Sequence, residues 1–385
     1  MSIQSIAQEN RKLSEKLSLQ GEPDSPSMRY YTSIKEDEIL PLLRTTKTGC
    51  AGMQLNITTH NGSPCRYLSR GKIRFASIDE ALKNGWMKEE ELFTQPYDKM
   101  SAINQGYFQD GSFVEIPENY ESESVITILN TADTDFNARN LYRVGKNSSS
   151  KILENLIITG NSSISQGTVI RLGENSALDY YFLDDASSSP LDYVERTIVM
   201  SRYSRLRIYH LSIPGRKNVT RFRIIQEGEY AESNYYGASL GKKDEHHDLE
   251  VYTLHLAPHG KNDTSFKGIL GGKSSIIFRG YININEKALS TESFLMANLL
   301  LLSKEAKGNA LPVLEIYNGE VRAKHGETVS NISEEELMYL MSRGMDLKRA
   351  KELVIEGFIS PIIGPLPEDI SNRYLDIVKD VVGNV

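Results

Sequence analysis

Histidine side chains can bind metals and transfer protons. Four histidines of this chain lie in one short stretch, at His246, His247, His255 and His259. On a strand, the last two would face the same side, so a metal-binding pair is geometrically feasible. The stretch holds no carboxylate or thiolate at a spacing typical of a metal site. Solvated turns and hydrogen-bonded core positions are therefore the favoured interpretation of these histidines.

A further histidine, His325, lies in the segment VRAKHGETVSNIS (321–333), after a strand-like run and before a strong helix start. In such a place it could be a metal ligand, a catalytic base or a turn residue hydrogen-bonded to its neighbours. The spacing of the other side chains reveals no set of nucleophile, base and orienting group around it. The residues alone leave its role open between function and structure.

The segment KGILGGKSS (267–275) has the composition of a phosphate-binding P-loop but not its spacing. Only three residues separate Gly268 from Gly272, whereas the motif needs roughly four between its first glycine and the Gly-Lys pair. The residues that follow, SIIFRG, indicate a strand and not the helix whose N-terminus would hold a phosphate. The predicted structure is a β-turn.

The composition limits the class of protein. A net charge of −7 and a pI of about 5.7 argue against a protein that binds nucleic acid through phosphate contacts. The polar N-terminal segment and the lack of a long apolar run predict neither a secretory signal nor a membrane span. Two cysteines, Cys50 and Cys65, are too few for a disulfide framework or for a zinc or iron–sulfur site with all its thiolate ligands from one chain. We expect a cytoplasmic protein with no nucleic-acid or membrane partner.

The middle of the chain, residues 103–290, alternates short β-rich runs with turns rich in glycine, asparagine and serine. Four strand–turn–strand units share one pattern, and their equivalent positions, at steps of 28, 28 and 25 residues, are Val144, Leu172, Met200 and Ile225. A period of about 20 to 50 residues is typical of solenoids and propellers. Units without helices favour a β-solenoid over a β-sandwich, whose turns would not recur so regularly.

The residues on either side of this core predict mostly helices, which gives three regions, 1–102, 103–290 and 291–385. Capping residues and leucine spacing mark the helices in both flanks. The N-terminal helices are predicted at 33–44 and 77–86, with N-caps at Ser33 and Ser77, and at 87–97. The C-terminal helices are predicted at 291–306, 333–344, 346–358 and 369–383, with Ser333 and Asp346 as N-caps and Gly344 and Gly357 as ends. A strand hairpin over 311–326, turning at Asn318–Gly319, is predicted between them.

Four segments follow one another in a characteristic order: GSFVEIPENY (111–120), LHLAPHGKNDTSFKGILGGKSSIIFRGYININEKALSTES (254–293), NLLLLSKEAKGNALPVLEIYNGEVRAKHGETV (298–329) and LMYLMSRGMDLKRAKELVIEGFI (337–359). In this order they resemble the SufB/SufD family of iron–sulfur cluster assembly scaffold proteins. The resemblance runs from about residue 104 to the end of the chain. It implies a right-handed parallel β-helix between N-terminal and C-terminal helical regions, which agrees with the organisation indicated by the repeats.

The resemblance favours the SufD type over the SufB type. SufB carries a cysteine ahead of an Asp-Ser-Leu run and a Glu-His-Glu triplet, whereas the matching positions here are Ala297 and Lys324-His325-Gly326. Alanine cannot replace a thiolate as an iron ligand. The resemblance implies that His325 faces a partner subunit as a metal ligand or proton acceptor, with Glu327 as a neighbouring oxygen ligand by proximity. A transient iron–sulfur cluster would be shared with that partner, and none would be permanently bound.

The resemblance also assigns the helical pair at 333–358 to docking of a SufC-type ATPase. The residues implied in docking are Leu337, Leu340, Arg343, Gly344, Leu353 and Phe358. We therefore expect a non-enzymatic, SufD-like scaffold subunit that works with a SufC-type ATPase and with a SufB-type paralogue or a second copy of itself.

Two other functions stay open at this point: a β-helix carbohydrate-active enzyme, and a plain structural homodimer with no cluster role. A carbohydrate-active enzyme needs acidic residues close together on one face of successive turns. The acidic residues of the middle region form no column at the repeat spacing, at Glu174, Asp179, Asp184, Asp185 and Glu195. Binding of a SufC-type ATPase would separate the scaffold from the plain homodimer.

Overall fold

A parallel β-solenoid of about eight turns forms the centre of the molecule. The computed structural model describes residues 3–19, 32–44, 57–67 and 72–383. Its strands are β1 (Ile57–His60), β2 (Ser63–Tyr67), β3 (Arg74–Ser77), β4 (Ser112–Ile116), β5 (Glu121–Ala132), β6 (Phe136–Val144), β7 (Ser149–Ile158), β8 (Ile164–Leu172), β9 (Ala177–Asp185), β10 (Asp192–Met200), β11 (Arg205–Ile213), β12 (Asn218–Gln226), β13 (Glu232–Gly241), β14 (His246–His255), β15 (Lys261–Leu270), β16 (Ser275–Ile284), β17 (Thr291–Leu301), β18 (Lys307–Ile316) and β19 (Val321–Asn331). Its helices are α1 (Ile3–Lys16), α2 (Glu36–Leu43), α3 (Ile78–Lys83), α4 (Lys99–Tyr107), α5 (Glu334–Ser342), α6 (Leu347–Ile363) and α7 (Glu368–Gly383). The predicted fold class, mainly β with a parallel solenoid between helical regions, is confirmed.

The strands form two sheets, and each turn of the solenoid contributes one strand to each of them. Sheet A has the order β19-β17-β15-β13-β11-β9-β7-β5-β1-β2, and sheet B has the order β18-β16-β14-β12-β10-β8-β6-β4-β3. Neighbouring strands of successive turns pair in parallel. The pairs β1–β2 and β3–β4 are antiparallel. Short antiparallel strands therefore lie at the end of the solenoid that is nearer the N-terminus.

The register of sheet B confirms three of the four predicted equivalent positions. Val144, Leu172 and Met200 lie side by side in one column. The fourth position is wrong by one residue, because Met200 lies beside Gln226 and not beside Ile225. Gln226 can be buried beside Met200 because its side-chain amide donates two hydrogen bonds, at 2.9 and 2.8 Å.

One column of turns is built from residues in the left-handed region of the backbone map. Its members, one from each successive turn with φ between 54° and 61°, are Asn119, Asn147, Asn175, Tyr203, Tyr230, His259 and Ser290. The asparagines donate to one another in a ladder at 3.0 and 3.1 Å. The rings of Tyr203, Tyr230 and His259 continue the column as a stack, with centroid distances of 5.1 and 4.4 Å. The prediction of a turn position for His259 is therefore confirmed.

The other histidines of this stretch are tied into the framework. His255 is buried in β14, and its Nε2 lies 3.2 Å from the Ser293 hydroxyl. The buried His247 ring lies between the hydroxyls of Ser239 and Thr220, at 2.7 and 3.1 Å. These contacts are those of hydrogen-bonded core histidines, as predicted.

Two further predictions concern the P-loop-like segment and the cysteines. The segment 267–275 holds the end of β15 at Leu270 and the start of β16 at Ser275, so the predicted turn is confirmed. Cys65 lies in β2, whereas Cys50 lies outside the described residues.

The segment 291–306 is wrongly predicted to be a helix, because Thr291–Leu301 is strand β17 of sheet A. Leu295 and Ala297 alternate along the strand as members of the inner core. The two-residue period is hidden in the sequence because Leu300, on the outer face, is also buried, in a cluster with residues of α6 and α7.

The predicted hairpin over 311–326 is also wrong. Strands β18 and β19 lie in different sheets, where they pair with β16 and β17. The turn at Asn318–Gly319 joins the two sheets, and the Asn318 amide donates to the Asn285 carbonyl of the preceding turn at 2.9 Å. The strands of the solenoid thus continue to Asn331, past the predicted boundary at residue 290.

Most helix ends follow the capping residues. Ser77, Ser333 and Asp346 each accept a hydrogen bond from the backbone N–H three residues later. Gly344 follows α5 with φ of 93°, a conformation in which glycine carries no steric penalty.

Three helix predictions need correction. Helix α2 begins after Lys35 and not after Ser33, because the Lys35 N–H is satisfied by the Glu38 carboxylate at 2.8 Å. Of the segment 87–97, only Glu89–Leu92 is helical, as a 3-10 turn. Helix α6 continues past Gly357 to Ile363, since its last turns are buried against sheet A, which outweighs the low helix propensity of glycine.

The flanking helices cover the outer faces of both sheets. Ile355 and Ile359 of α6 pack in one cluster with Tyr209 and Leu211 of sheet A, and α7 joins the same cluster. Residues of α2 and α4 pack against sheet B in a second cluster. Among the described residues, no helix is both long enough and apolar enough to cross a membrane.

Candidate functional site at the open end of the solenoid

The solenoid ends in two strands that, within the described residues, pair on one side only. β19 is the last strand of sheet A and pairs with β17, and β18 is the last strand of sheet B and pairs with β16. Both are far more exposed than the strands of the preceding turns. Such an edge presents a row of backbone N–H and C=O groups to another strand. We call this end of the solenoid, formed by β18 and β19, the open end.

His325 lies near the middle of β19, in a column whose other members fill the interior of the solenoid. Its neighbour in register is Leu295, which is followed by Thr264 and Tyr235, all of them buried. The imidazole itself is exposed. Because β19 is the last strand of its sheet, no further turn formed by the described residues covers this position. The register therefore places the ring at the mouth of the solenoid interior.

Glu327 projects from the same face of β19, two residues further on. Its neighbour in register is Ala297, a member of the inner core. Val321 and Ala323, also on this face, pack against that core. The open end thus presents an imidazole and a carboxylate together, both exposed and both above the solenoid interior.

The residues around this pair add no further ligand. Ala297 is 1% exposed, and its methyl group packs in the core. Lys324 and Gly326 flank His325 on the opposite, outer face of the strand. Within the described ranges, no group of three or more His, Cys, Asp or Glu is arranged to hold a metal ion. One chain therefore contributes two candidate ligands at this end.

A groove of about 890 Å³ lies beside the open end, between the last residues of β19 and helices α5 and α6. Of the six residues predicted to dock a partner, Leu340, Leu353 and Phe358 line it. Leu337 is half-buried on α5, outside the groove lining. The remaining two, Arg343 and Gly344, lie at the turn after α5. The Arg343 guanidinium carbon lies 5.3 Å from the centre of the Tyr339 ring, and Gly344 ends the helix.

The first residue of the P-loop-like segment, Lys267, contacts one wall of this groove. The Lys267 ammonium lies 4.4 Å from the centre of the Phe358 ring, a cation–π contact between sheet A and α6. Partial burial lowers the pKa of this ammonium. The sequence gives no signal for the contact, because the two residues are brought together only when α6 packs on the sheet.

Sequence reasoning also missed a buried acid pair inside the solenoid. Asp184 of β9 and Asp192 of β10 are fully buried, and the Asn218 amide nitrogen lies 3.1 and 2.5 Å from one oxygen of each. Burial raises the pKa of Asp184 to about 7, and burial and the Asp184 charge raise the pKa of Asp192 well above its usual range. Within the described part of the chain, the second oxygen of each carboxyl meets no hydrogen-bond donor. The two carboxyl groups lie within hydrogen-bond reach of each other, so they can share one proton.

Comparison with known families gives this geometry a context. The family model described as "SUF system FeS cluster assembly, SufBD core domain" matches residues 127–358, which include β19 and the groove-lining residues up to Phe358. The chain belongs to the SufBD family. It is thus a protein of SUF-system iron–sulfur cluster assembly.

Three members of the SufBD family share 22–24% of their aligned residues with this chain. The chain is similar to the iron–sulfur cluster assembly protein SufB of Bacillus subtilis, with 24% identity over 321 residues that cover 80% of this chain and 68% of that protein. An iron–sulfur cluster assembly SufBD family protein of Staphylococcus saprophyticus is 23% identical with the same coverage. A SufBD family protein of Staphylococcus epidermidis is 22% identical, again over 321 residues.

Proposed function

We propose that this chain is a SufD-like, non-enzymatic scaffold subunit that works with a SufC-type ATPase and with a SufB-type paralogue or a second copy of itself. The observation that carries the proposal is the position of His325 on the last strand of sheet A. An exposed imidazole on an unpaired edge becomes part of an interface as soon as another chain pairs with that edge. His325 would then serve a cluster in formation as an imidazole ligand or a proton acceptor.

The cluster would be transient and shared between subunits. The inner face of β19 supplies one imidazole and one carboxylate, from His325 and Glu327, whereas iron–sulfur clusters in proteins need about four ligands. The assignment to the SufD type rests on the residues nearby. Ala297 has no ligand atom, and Lys324 and Gly326 replace the carboxylates expected beside the histidine of a SufB-type subunit. The missing ligands would come from the partner.

The groove beside the open end supports a role in docking a SufC-type ATPase. Its lining includes the apolar side chains of Leu340, Leu353 and Phe358, and Glu335 and Glu336 lie at its border on α5. An apolar groove between two helices is a common docking site for a partner protein. Because the groove and β19 are adjacent, movement of a bound ATPase could be transmitted to the interface that contains His325.

The test is the iron and sulfide content of the purified complex after replacement of His325 by alanine. We expect His325→Ala to lose cluster formation while the complex itself still assembles, because the imidazole is exposed and its loss leaves no cavity. Lys324→Ala is the matched control, since it removes an exposed side chain from the opposite face of the same strand. Unchanged iron and sulfide in His325→Ala would overturn the proposed role.

A further inference from the structure

We propose that one corner of the solenoid, where the chain passes from sheet A to sheet B, binds the acidic face of a helix in a partner protein. Four exposed basic side chains form this surface, which we call the basic ridge: Arg216, Lys243, Lys273 and Lys304. None of the four lines the groove between α5 and α6, and none lies on β18 or β19. The inference therefore goes beyond the proposed function and does not depend on it.

Each residue of the basic ridge comes from a different turn of the solenoid. In chain order, they follow β11, β13, β15 and β17, at the point where each of these strands of sheet A has ended. Because the strands of successive turns pair in parallel, the corner turns stack at about 4.8 Å, the spacing of neighbouring strands. The basic ridge thus extends over about 14 Å along the solenoid.

Backbone contacts hold the middle turns of the basic ridge directly against each other. The Lys273 N–H donates to the Lys243 carbonyl at 2.5 Å, and Gly272 lies beside the Lys243 backbone with φ of 61°. A Cβ at residue 272 would lie 2.9 Å from both the nitrogen and the oxygen of Lys243, so this approach needs glycine. The glycines of the P-loop-like segment therefore bring two lysine-bearing turns together.

The opposite corner of the solenoid, where the chain passes from sheet B to sheet A, neutralises its charges within the chain. Glu174 lies on the turn between those of Lys146 and Arg202. Its carboxylate pairs with both of them, at 2.9 and 2.6 Å. Charges that alternate from turn to turn thus form ion pairs along this corner.

Most charges of the basic ridge have no such counterpart. Lys273 pairs with Glu305 at 3.4 Å. Arg216, Lys243 and Lys304 form no ion pair with any described residue. Like charges that lie close together repel each other, so their arrangement costs stability, and the packing of the solenoid gives no reason for it. A negatively charged partner gives one.

The acidic residues of the same turns do not cancel the positive charge. The segments 214–217, 242–245, 271–274 and 302–306 hold six basic and three acidic residues, in a chain whose net charge is −7. One basic residue, Lys217, pairs with Glu38 of α2 at 2.6 Å. One acidic residue, Glu245, is buried, and burial raises its pKa to about 7. The corner is therefore a positive surface on a negative molecule, and it attracts negatively charged partners.

The spacing of the basic ridge fits a helix. Helix residues at positions i, i+4 and i+7 share one face, and that face advances by about 5.4 Å per turn. The ridge advances by about 4.8 Å per turn of the solenoid, so glutamates at these helix positions can meet successive basic side chains. On an extended strand, the side chains of one face recur at about 7 Å, and the match is lost within two steps.

Two other kinds of anionic partner fit the basic ridge less well. Proteins that bind single-stranded nucleic acid stack the bases on aromatic side chains, and the four corner segments contain no aromatic residue. Proteins that bind membrane surfaces also insert apolar side chains between the headgroups. None of the exposed large hydrophobic residues lies in these four segments, all of which the structure describes. The favoured partner is thus an acidic protein surface.

The test uses the full-length protein and a fluorescent helical peptide as the probe. The peptide is alanine-rich, is held as a helix by a side-chain staple, and carries glutamates along one face. A peptide with glutamines at the same positions is the uncharged reference. We expect the wild type to bind the glutamate peptide about tenfold or more tightly than the glutamine peptide, measured by fluorescence anisotropy at low ionic strength. Equal binding of the two peptides, or binding of neither, would refute the proposal.

A triple variant removes the charges of the basic ridge that have no ion pair: Arg216→Gln, Lys243→Gln and Lys304→Gln. It should raise the dissociation constant of the glutamate peptide about tenfold or more, because each lost charge weakens the attraction and nothing replaces it. All three side chains are exposed, so the variant should keep the circular dichroism spectrum of the wild type.

The matched control makes the same substitution at three exposed lysines elsewhere, with the same change in net charge: Lys12→Gln, Lys151→Gln and Lys287→Gln. It should change the dissociation constant by less than about twofold, because salt screens charges that lie far from the bound peptide. Equal weakening in both triple variants would mean that binding follows the net charge of the protein, and the basic ridge would then be the wrong surface.

Three further probes decide the kind of partner. They are an acidic peptide in which prolines prevent a helix, a single-stranded oligonucleotide of equal charge, and vesicles that contain an anionic lipid. We expect each to bind the wild type more weakly than the stapled helix. Equally tight binding of the proline peptide would contradict the preference for a helix. Tighter binding of the oligonucleotide or the vesicles, lost in the ridge variant, would replace the acidic protein with that class of partner.

Discussion

Single residues inside the solenoid determine how its stability depends on pH. Asp184 and Asp192 are buried beside each other, and their raised pKa values mean that the folded protein holds a proton that the unfolded chain releases above about pH 4. The sign follows from the linkage between protons and folding. The contribution of the pair is most favourable below the pKa of an unfolded aspartate and is lost as the pH rises towards about 7.

The predicted consequence concerns Asp192→Asn. The amide can donate to the Asp184 carboxyl without a shared proton, so this variant should lose the part of the destabilisation between about pH 4 and 7 that the acid pair contributes. The difference in unfolding free energy between Asp192→Asn and the wild type should grow by up to about 1.4 kcal/mol per pH unit across that range. Urea denaturation at several pH values measures it. Glu286→Gln, in an exposed turn, is the control and should leave the pH slope of the wild type unchanged.

A parallel pH dependence in the wild type and Asp192→Asn would show that the two carboxyls do not share a proton. Arg196 lowers the pKa of both carboxyls, so the measured range reports the balance between burial and this guanidinium. The groups that face the pair are Asp185 of the same strand, Arg196 of β10 and Asn218 of β12.

At the scale of elements, helices α5 and α6 carry the second candidate surface. Helix α6, which forms one side of the groove between them, packs on sheet A. Phe358 contacts Lys267 of the sheet, and the side chains of Ile355 and Ile359 are buried against it. Because α6 is anchored in this way, a change in the groove lining can be made without loss of the fold.

The docking prediction uses one helix for both variant and control. Leu340→Asp introduces a charge into the apolar lining of the groove and should reduce co-purification of a SufC-type ATPase by tenfold or more. Met338→Asp makes the same chemical change on α5 at a residue that is 67% exposed and does not line the groove, so it should retain the ATPase. Equal retention by both variants, measured by pull-down with circular dichroism as a check of folding, would remove the groove as the docking site.

The elements also show what the sequence can and cannot predict. Capping residues such as Ser77, Ser333 and Asp346 define helix starts through local hydrogen bonds. Such residues can therefore be recognised from the sequence alone. The spacing of Val144, Leu172 and Met200 likewise indicates the repeat in the sequence. The sequence does not reveal strand β17, because the apolar residues Phe294, Met296 and Leu300 on its outer face replace most of the polar half of the alternation.

The candidate site was predictable only in part. His325 and Glu327 could be named from the ordered segments that resemble the family, and they do share one face of a strand. Their position at the mouth of the interior depends on where the solenoid stops, which no local pattern encodes. The pairing of Asp184 with Asp192 is similarly invisible, since it needs the register of strands from two sheets.

At the scale of the whole molecule, each turn is stabilised by its neighbours, so a defect in one turn weakens the entire stack. The interior holds a fully buried ion pair, in which Arg196 donates to Glu154 at 3.0 Å. The guanidinium also bonds the Gln166 side chain at 2.6 Å and the Tyr180 hydroxyl at 3.0 Å. These contacts tie together strands from both sheets.

We predict that Arg196→Met destabilises the protein by about 3–5 kcal/mol, because it leaves the Glu154 carboxylate buried without its counter-charge. The double variant with Glu154→Gln should recover a large part of that loss. Arg202→Met is the control, since it breaks an exposed ion pair with Glu174 and an exposed cation–π contact with Tyr203 and should change stability little. Denaturant unfolding measures all three, and an Arg196→Met protein as stable as the control would show that the ion pair is dispensable.

The two ends of the solenoid differ, and this difference limits how far assembly can go. One end has short antiparallel strands, β2 and β3, and the other presents the long edges of β18 and β19. A rod with long pairing edges at both ends would add copies without limit and form fibres. A rod with one such end can join a single partner face to face and then has no equivalent edge left to extend. The same asymmetry that exposes His325 therefore favours a closed pair over a filament.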